Sequence, residues 1–327
     1  MSLEYSVTRD DVVWAYRTIL GRDPEDENCI IHVLDSRLDL RELISSLLLS
    51  TEFRAKSVAD ASSLINSMHV MENIEVDVGD SDMERLLAHI RKVWSSHGQE
   101  EPYWSVLTDE KYRKSKISDS DVREFYASGA PLVDLFEANC RKNGIAPLCN
   151  WTILDFGCGM GRVGEHFAQR YKSYIGVDIS ADHLRLAESC FMQLRRSGVH
   201  LGECRFLLLP DYLADNRIQY DVFFSFIVLQ HNPPPLIQYL LSHCLSRVRK
   251  GGLAFFQLPN YIHGYEFSVA DYLSGKERHG PMEMHPLPQP YVFKLLARYA
   301  FEVLMALPHE SIGPAGLSLV YLARRAG

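Results

Sequence analysis

The sequence lacks the features of a secreted, disulfide-bonded or membrane-spanning protein. Its 327 residues include seven cysteines but no CxxC pair, and the most apolar stretch, residues 222–229, is far shorter than the roughly 20 residues that cross a bilayer. The first residues show no basic region followed by an apolar one, the pattern of a secretory leader. We therefore expect a cytoplasmic protein with no transmembrane segment, whose cysteines are buried free thiols.

Positive charge is also scarce. The 34 Lys and Arg residues are outnumbered by 42 Asp and Glu, which gives a formal net charge of −8. This balance argues against a large binding surface for nucleic acid or anionic lipid, so we predict no nucleic-acid partner. With 46% hydrophobic and 23% charged residues, the chain has the composition of a globular protein of two domains that acts on a small or neutral substrate.

Helical patterns predict how the chain is divided. Thr8 followed by Asp11 resembles a capping box, and apolar stripes then indicate three short helices, the third over residues 40–53. A further helix is indicated over residues 83–94. The predicted divisions are a small helical accessory domain (1–60), a linker or helical connection (61–100), and a main domain (101–327) that starts with a helical lead-in (101–148).

The stretch WTILDFGCGMGRVG, residues 151–164, organises the main domain. A short apolar strand, residues 152–156, runs directly into a glycine-rich turn, after which apolar residues recur at helical spacing. In a strand that is followed by a turn and a helix in this way, the unpaired backbone N–H groups at the helix N-terminus converge on one position. Such a position suits an anionic group of a ligand. The glycines allow that ligand to lie against bare backbone.

The glycine turn is compatible with two cofactors. Gly159, Gly161 and Gly164 match the GxGxxG pattern of dinucleotide binding, whereas Asp155, Gly157, Gly159 and Gly161 match DxGxGxG, the pattern of S-adenosylmethionine (SAM) binding. Because Gly157 directly follows the strand, the SAM register fits better. An acidic residue at the end of the second strand is placed to accept the ribose hydroxyls of either cofactor.

Alternating strand and helix patterns after residue 151 predict an α/β fold. We expect a Rossmann-like sheet of seven mostly parallel strands with helices on both faces, preceded by the small helical domain. The last two strands are expected to pair as an antiparallel hairpin at the sheet edge. The predicted strands cover residues 152–156, 173–177, 205–209, 221–226, 253–258, 301–307 and 317–322.

Three motifs in this order, ILDFGCGMGR, YIGVDIS and YDVFFSFIVLQHNPPPLIQYLLSHCLSRVRKGGLAFFQLP, resemble SAM-dependent methyltransferases of the Rossmann-like class over residues 101–327. The resemblance implies SAM as cofactor and makes an NAD-linked oxidoreductase the minor alternative. The predicted cofactor contacts are Asp155, Gly157, Cys158, Gly159, Gly161, Arg162, Asp178, Ile179, Asp211, Phe226 and Tyr126.

The resemblance implies a role for several of these residues. Asp155 is a candidate for the amino group of SAM and Asp178 for the ribose. Asp211 lies later than the usual acidic residue that contacts adenine, so the backbone of Leu208 or Leu209 is the alternative. Two further contacts are predicted from the sequence itself: Arg162 is equally placed to face the cofactor carboxylate or to pair with Glu165, and Tyr126 belongs either to a lid near the methionine end of SAM or to an aromatic core.

A hydroxyl acceptor, unlike an amine or a thiolate, requires a base within hydrogen-bond reach. His231, just after the fourth strand, is the first candidate, although it also suits a helix cap. Glu283 and His285, in the loop after the fifth strand, form a second candidate set. Asp211, His231 and His285 have side chains of the types that bind divalent metals, but no ligand spacing supports such a site and no metal is predicted.

The segments YRTILGRDPED and ISSLLLSTEFR resemble a short domain found beside glycosyltransferases and other surface-polysaccharide proteins, and the closing part of the chain resembles methyltransferases encoded with such enzymes. This resemblance implies O-methylation of a sugar or glycan acceptor, with a glycosyltransferase or another assembly protein as a candidate partner of the N-terminal domain. The alternatives are a methyltransferase for an amine, a carboxylate or RNA, and a non-catalytic protein that binds SAM.

Overall fold

A computed structural model describes residues 7–20, 22–48, 50–52, 73–275 and 282–327. The chain divides into two compact units, residues 1–72 and 73–327. The part of the predicted connection that spans residues 61–72 lies outside the described residues, as does the predicted end of the third helix. Residues 73–100, predicted as the rest of that connection, belong to the second unit.

The first unit is helical, as predicted. Helix α1 begins with the expected capping box, in which the Thr8 hydroxyl accepts from the backbone N–H of Asp11 and the Asp11 carboxylate accepts from that of Thr8. Small and branched apolar side chains from the helices form its core. Its elements are α1 (Arg9–Ala15), which continues into a π-helical turn (Tyr16–Leu20), α2 (Glu27–Asp35) and α3 (Leu40–Leu48).

The second unit contains the sheet and the remaining described helices. The strands are β1 (Thr152–Phe156), β2 (Ser173–Asp178), β3 (Glu203–Leu208), β4 (Tyr220–Ser225), β5 (Val248–Ile262), β6 (Phe301–His309) and β7 (Gly316–Arg325). The helices are α4 (Asp80–Glu100), α5 (Pro102–Val106), α6 (Asp119–Ala127), α7 (Ala130–Lys142), α8 (Gly164–Arg170), α9 (Ala181–Arg196), α10 (Leu209–Ala214), α11 (Pro234–Arg247), α12 (Val269–Ser274) and α13 (Gln289–Arg298).

The seven strands form one sheet in the order β3-β2-β1-β4-β5-β7-β6, which confirms the predicted Rossmann-like architecture. The first five strands are parallel, and β7 runs antiparallel to both β5 and β6. The last two strands do pair with each other, but β7 inserts beside β5 and leaves β6 at the edge. Strand β5 is much longer than predicted because it pairs with β7 from Leu253 to Ile262, across a register shift after Pro259.

Alternating side chains of the strands bury two cores, one on each face of the sheet. On β1, Leu154 and Phe156 face the core shared with α4 and α11, while Ile153 faces the core shared with α7 and α8. A third cluster joins the aromatic residues of the lead-in (Trp104, Tyr112, Phe125) to Met160 of the glycine turn. Helices therefore cover both faces, as the sequence predicts.

The second unit begins in an extended segment that pairs with the chain after β5. Ile74 forms a parallel bridge with Phe267, and the flanking N–H groups of Glu75 and Phe267 donate to the carbonyls of Phe267 and Asn73. The Glu75 carboxylate accepts from the N–H of Val269, at the start of α12, at 2.7 Å. Ile74 is buried in the same core as α4 and α11.

The cysteines are free thiols, as predicted, but burial varies. Cys140, Cys158 and Cys244 are buried, whereas Cys149 is exposed, so the expectation that the whole set is buried is wrong for Cys149. Cys149 follows α7 in a loop on the surface. Among the described helices, none is both long enough and apolar enough to cross a membrane.

Candidate active site

The glycine turn between β1 and α8 depends on glycine at specific positions. Gly157, Gly159 and Gly161 have φ of 75°, 53° and 78°, in the left-handed region that other residues rarely adopt. The N–H groups of Gly157 and Cys158 both donate to the carbonyl of Val177 in β2, at 2.8 and 3.1 Å. A Cβ atom added at Gly157 would overlap the Val228 side chain. The turn is thus fixed against the neighbouring strand and has no room for a side chain.

A cavity of about 790 Å³ opens at the carboxyl ends of β1, β2 and β4. Its wall has two parts, which we call the β2 side and the β4 side. The β2 side comprises Ser105, Asp155, Gly157, Gly159, Arg162, Asp178, Ile179, His183 and Leu209, and the β4 side comprises Trp94, Phe226, Ile227, Gln230, His231, Met284 and His309. This is the position in which open α/β sheets bind ligands.

Most of the predicted site residues line this cavity, although their roles as ligand contacts stay predictions. Those in the wall are Asp155, Gly157, Cys158, Gly159, Arg162, Asp178, Ile179, Phe226 and His231. Those outside the wall are Tyr126, Gly161, Asp211, Glu283 and His285.

Asp155, near the end of β1, is a buried carboxylate with one hydrogen-bond donor among the described residues. The Tyr174 hydroxyl donates to Asp155 Oδ2 at 3.0 Å. Burial raises the pKa of Asp155 to about 7, while the Tyr174 hydrogen bond and the charge of Arg162 oppose that rise. Tyr174 can reach Asp155 because Gly164 leaves the space open, since a Cβ there would overlap the tyrosine ring and hydroxyl. Gly164 therefore serves packing, whereas the other glycines form the turn.

Asp178, at the end of β2, connects the glycine turn to the next helix. Its Oδ2 accepts from the N–H of Gly159 and its Oδ1 from the N–H of Ser180, both at 2.8 Å. A carboxylate has about four acceptor positions, so two remain for a ligand. Asp178 thus holds the turn in place and still offers oxygens to the cavity.

Arg162 contacts the lead-in helices. Its Nη1 donates to the carbonyl and hydroxyl oxygens of Ser128 at 2.9 and 3.1 Å, and its Nε is buried with no hydrogen-bond partner among the described residues. The predicted alternative partner, Glu165, instead lies 3.3 Å from His166 Nε2. Since Arg162 lines the cavity beside Asp155, its position is compatible with a ligand carboxylate.

Besides Gly161 of the turn, two predicted cofactor contacts lie outside the cavity wall. Tyr126 packs edge-on against Phe125 with ring centroids 5.3 Å apart, in the aromatic cluster of the lead-in, and burial raises the pKa of its hydroxyl. This packing agrees with the core interpretation of Tyr126, and its role in a lid near SAM stays a prediction. Asp211 is exposed on α10, because the chain turns into that helix directly after β3, and Leu209 lines the cavity in its place.

His231 lies in a single 3₁₀ turn (Leu229–His231) after β4. Its Nδ1 is 2.7 Å from the carbonyl oxygen of Glu283, and its ring packs edge-on against Trp94 with centroids 5.6 Å apart. Burial lowers the pKa of His231 to about 4, so the ring is neutral at pH 7. A neutral imidazole in the cavity wall has a lone pair that can accept a proton, although the lowered pKa makes it a weaker base than an exposed histidine.

Glu283 and His285, the second candidate set, lie behind His231. His285 is fully buried, with Nδ1 2.6 Å from the Tyr265 hydroxyl and Nε2 3.2 Å from Glu283 Oε2. Aromatic rings from α12 and the segment before it enclose His285, which keeps its imidazole away from the cavity. Its backbone N–H donates to the carbonyl of Gln230 at 2.7 Å. This segment supports the turn that carries His231, and the prediction that His285 acts on the substrate is not borne out by its position.

Several residues of the site were not predicted from the sequence. Tyr174 and Gln257 are polar residues within apolar strands, SYIGVD and LAFFQLP, and that interruption is the signal that marks them. On the β2 side, the Ser105 hydroxyl lies 3.1 Å from His183 Nε2. No local sequence pattern marks this pair, because the two residues lie 78 positions apart on different helices. Within the described ranges, no group of three His, Cys, Asp or Glu side chains is placed to hold a metal ion.

Comparison with known proteins agrees with this geometry. Residues 153–252 match the family model for a methyltransferase domain. The chain is 30% identical over 118 residues to a ubiquinone biosynthesis O-methyltransferase of Vibrio parahaemolyticus, covering 36% of this chain and 48% of that protein. A protein of the same name from Azoarcus is 30% identical over 134 residues, covering 40% and 55%. The chain spans about half the length of the curated relatives it matches.

A solved structure has the same fold. The magnesium protoporphyrin IX methyltransferase of Synechocystis with bound SAH superimposes with a TM-score of 0.50 at 19% identity, covering 73% of this chain and 99% of that one. The sheet order, the glycine turn and the matched region define the class: residues 153–252 form a methyltransferase domain within a Rossmann-like methyltransferase fold.

Proposed function

We propose that this protein is a SAM-dependent methyltransferase that transfers a methyl group to a hydroxyl. The observation that carries the proposal is that one cavity joins the glycine turn, Asp155 and Asp178 on its β2 side to the neutral imidazole of His231 on its β4 side. A candidate cofactor site and a candidate base thus face one shared cavity of about 790 Å³.

The β2 side fits SAM. Asp155 would take its amino group, Arg162 its carboxylate and Asp178 its ribose hydroxyls, with the apolar side chains of Ile179 and Leu209 beside the adenine. When bound, SAM supplies an activated methyl group on a sulfonium centre. The glycine turn presents bare backbone to the cofactor because Gly157 and Gly159 carry no side chain.

The β4 side fits the acceptor. His231 would accept the proton of the acceptor hydroxyl as the new oxygen–carbon bond forms and the sulfur–carbon bond breaks. Trp94, Phe226 and Met284 line this side and would exclude water from the reacting atoms. The protein's contribution is alignment of donor and acceptor together with removal of one proton.

For the acceptor we propose a sugar hydroxyl in a glycan or polysaccharide, with a glycosyltransferase or similar assembly protein as the partner of the N-terminal unit. The support is the resemblance of the N-terminal segments and of the closing part of the chain to surface-polysaccharide proteins. The second candidate acceptor is a hydroxyl on an apolar ring. The aromatic and thioether side chains of the β4 side favour it, and the relatives named as ubiquinone biosynthesis O-methyltransferases agree with it.

A panel of acceptors tests the proposal. Purified protein with SAM is offered nucleotide sugars, oligosaccharides, catechols and matched amines, and the mass of each acceptor is followed. We expect a gain of one methyl group on a hydroxyl acceptor only. Turnover on amines but on no hydroxyl would overturn O-methylation, and methylated catechols with unmodified saccharides would select the second candidate.

SAM binding should depend on pH through Asp155. Only the ionised carboxylate attracts the cationic amino group, so we expect the SAM dissociation constant to rise as the pH falls through about 7, by up to about tenfold per pH unit. Tyr174→Phe removes a hydrogen bond that favours the ionised form, which should move this change to higher pH. Isothermal titration between pH 6 and 9 measures both.

The matched control is Tyr261→Phe, which removes a hydroxyl that contacts only His263 at the surface among the described residues. It should leave the pH profile unchanged. Because the folded pKa of Asp155 lies above its ordinary value, its contribution to the stability of the ligand-free protein is present at low pH and is lost as the pH rises through about 7. A SAM affinity that is constant from pH 6 to 9 would rule out this role of Asp155.

A further inference from the structure

Buried polar side chains next to the β4 side of the cavity are linked by a series of hydrogen bonds. None of the roles proposed above for the site residues requires this series. Gln257 lies in β5 with no exposed surface, between Phe256 and Leu258. The backbone N–H of Ile227 donates to Gln257 Oε1 at 3.1 Å, and Gln257 Nε2 donates to Gln230 Oε1 at 3.1 Å. Gln230 is also buried, and its Nε2 lies 3.4 Å from His231 Nε2.

The direction of each hydrogen bond in this series follows from its first member. A backbone N–H can only donate, so the atom of Gln257 that faces Ile227 is the oxygen and the opposite atom is the NH₂ group. If Gln230 turned its own NH₂ group to this one, two donors would face each other at 3.1 Å, so Gln230 turns its oxygen to Gln257 and its NH₂ group to His231. His231 Nε2 therefore accepts and carries no proton.

The contact at His231 Nδ1 independently indicates the same tautomer of His231. The Glu283 carbonyl, 2.7 Å from His231 Nδ1, can only accept, so Nδ1 must carry the proton. Two fixed backbone groups, the N–H of Ile227 and the C=O of Glu283, thus specify one tautomer of His231. This tautomer leaves the Nε2 lone pair in the wall of the cavity.

Two serines reinforce the orientation of Gln257. Its Nε2 also lies 2.6 Å from the Ser318 hydroxyl and 2.9 Å from the Ser311 hydroxyl, so that, together with Gln230 Oε1, three oxygen atoms share the two hydrogens of this NH₂ group. At its oxygen end, Ile227 has φ of 56°, a strained conformation for a β-branched residue, and the bond to Gln257 fixes that residue. The series is therefore anchored by backbone and side-chain groups at the Gln257 end.

We infer that Gln257 is a positioning residue: acting through Gln230, it holds His231 as the neutral tautomer with the proton on Nδ1 and the lone pair on Nε2. The importance of this for catalysis rests on the proposed function, whereas the tautomer itself does not. The Gln230 contact, at 3.4 Å, is at the long limit of a hydrogen bond, so an acceptor hydroxyl at about 2.8 Å can replace it at Nε2. Gln230 would then keep Nε2 unprotonated until the acceptor binds.

Nitrogen-15 NMR of histidine-labelled full-length protein tests the inference directly, with the His231 signals assigned from their loss in His231→Asn. We expect the shift of a protonated nitrogen at Nδ1 and of an unprotonated nitrogen at Nε2 at pH 7. A proton on Nε2 in the wild-type protein would overturn the inference.

Gln230→Glu keeps an acceptor for Gln257 but turns a carboxylate oxygen to His231 Nε2. The carboxylate stabilises a proton there, so the pKa of His231 should rise from about 4 by about 1–3, and methyl transfer should fall at pH 6 and recover at pH 8. Gln193→Glu, on the exposed face of α9, is the matched control and should change neither. An unchanged His231 pKa in Gln230→Glu would contradict the series of hydrogen bonds.

Gln257→Leu tests the remote residue. We expect signals of both His231 tautomers, since the Gln230 amide is then free to rotate, while SAM affinity on the β2 side is retained. Retained SAM affinity also shows that Gln257→Leu is folded. If Gln257→Leu does not fold, the pKa of His231 in Gln230→Glu provides the test. A single unchanged tautomer in folded Gln257→Leu would overturn the role of Gln257. Full transfer in His231→Asn would remove His231 as the base of the proposed reaction and leave the tautomer assignment standing.

Discussion

The variant His231→Asn should lose methyl transfer to a hydroxyl acceptor by about 10²–10⁴-fold in kcat while binding SAM with unchanged affinity. The loss is expected because the neutral imidazole of His231 lies on the β4 side, where it is placed to take the hydroxyl proton, and general bases contribute about this much. Asparagine keeps a side-chain group able to donate toward the Glu283 carbonyl, so the turn after β4 should persist. Steady-state kinetics and SAM titration separate the two effects.

The control for His231→Asn is His263→Asn, which changes an exposed histidine after β5 and should leave kcat at the wild-type value. The pH dependence adds a second check. Since the pKa of His231 is about 4 and that of Asp155 about 7, the fall in kcat/KM for SAM on acidification should follow Asp155, with no further fall in kcat until well below pH 6. Unchanged turnover in His231→Asn would remove His231 from the reaction.

Gly157→Ala should weaken SAM binding by at least about 100-fold. Alanine at φ of 75° costs about 1–2 kcal/mol, and its Cβ would also overlap Val228, which lies directly beneath the turn. The turn must then move away from β4, and the N–H groups that bond the Val177 carbonyl move with it. Isothermal titration measures the affinity, and circular dichroism shows whether the sheet is retained.

The chain supplies a matched control for Gly157→Ala. Gly144, in the loop after α7, has φ of 72° but an open environment in which a Cβ would meet nothing within 4 Å. Gly144→Ala therefore carries the same backbone strain without the overlap and outside the cavity wall. It should lower the melting temperature while SAM affinity stays normal. Equal losses of affinity in both variants would show that the glycine turn does not form the cofactor site.

The sheet could be predicted from the sequence because each strand is a short apolar run ended by a turn or a cap. The glycine turn and Asp178 were found for the same reason, since positive φ and strand ends leave local marks in the sequence. Strand β5 was predicted too short, because its extension past Pro259 depends on pairing with β7, which is more than 50 residues further along the chain. Such pairing leaves no local pattern.

The candidate site was predictable on the β2 side and much less so on the β4 side. The sequence marks Asp211 and Tyr126 by chemical type, but the helix after β3 turns Asp211 to solvent, and Tyr126 packs against the aromatic cluster, half-buried. His285 was assigned for the same reason, yet a cage of aromatic rings separates it from the cavity. The sequence shows the chemical type of a residue. The direction in which its side chain points depends on packing with elements that are distant in the sequence.

The bridge between Ile74 and Phe267 determines where this chain can be shortened. A fragment starting at residue 101, the predicted start of the main domain, would lack Ile74, the Glu75 carboxylate that caps α12, and the Trp94 ring beside His231. Such a fragment would expose part of the core shared with α11 and open the wall of the cavity. A fragment intended to keep the second unit intact must therefore begin at or before Asn73.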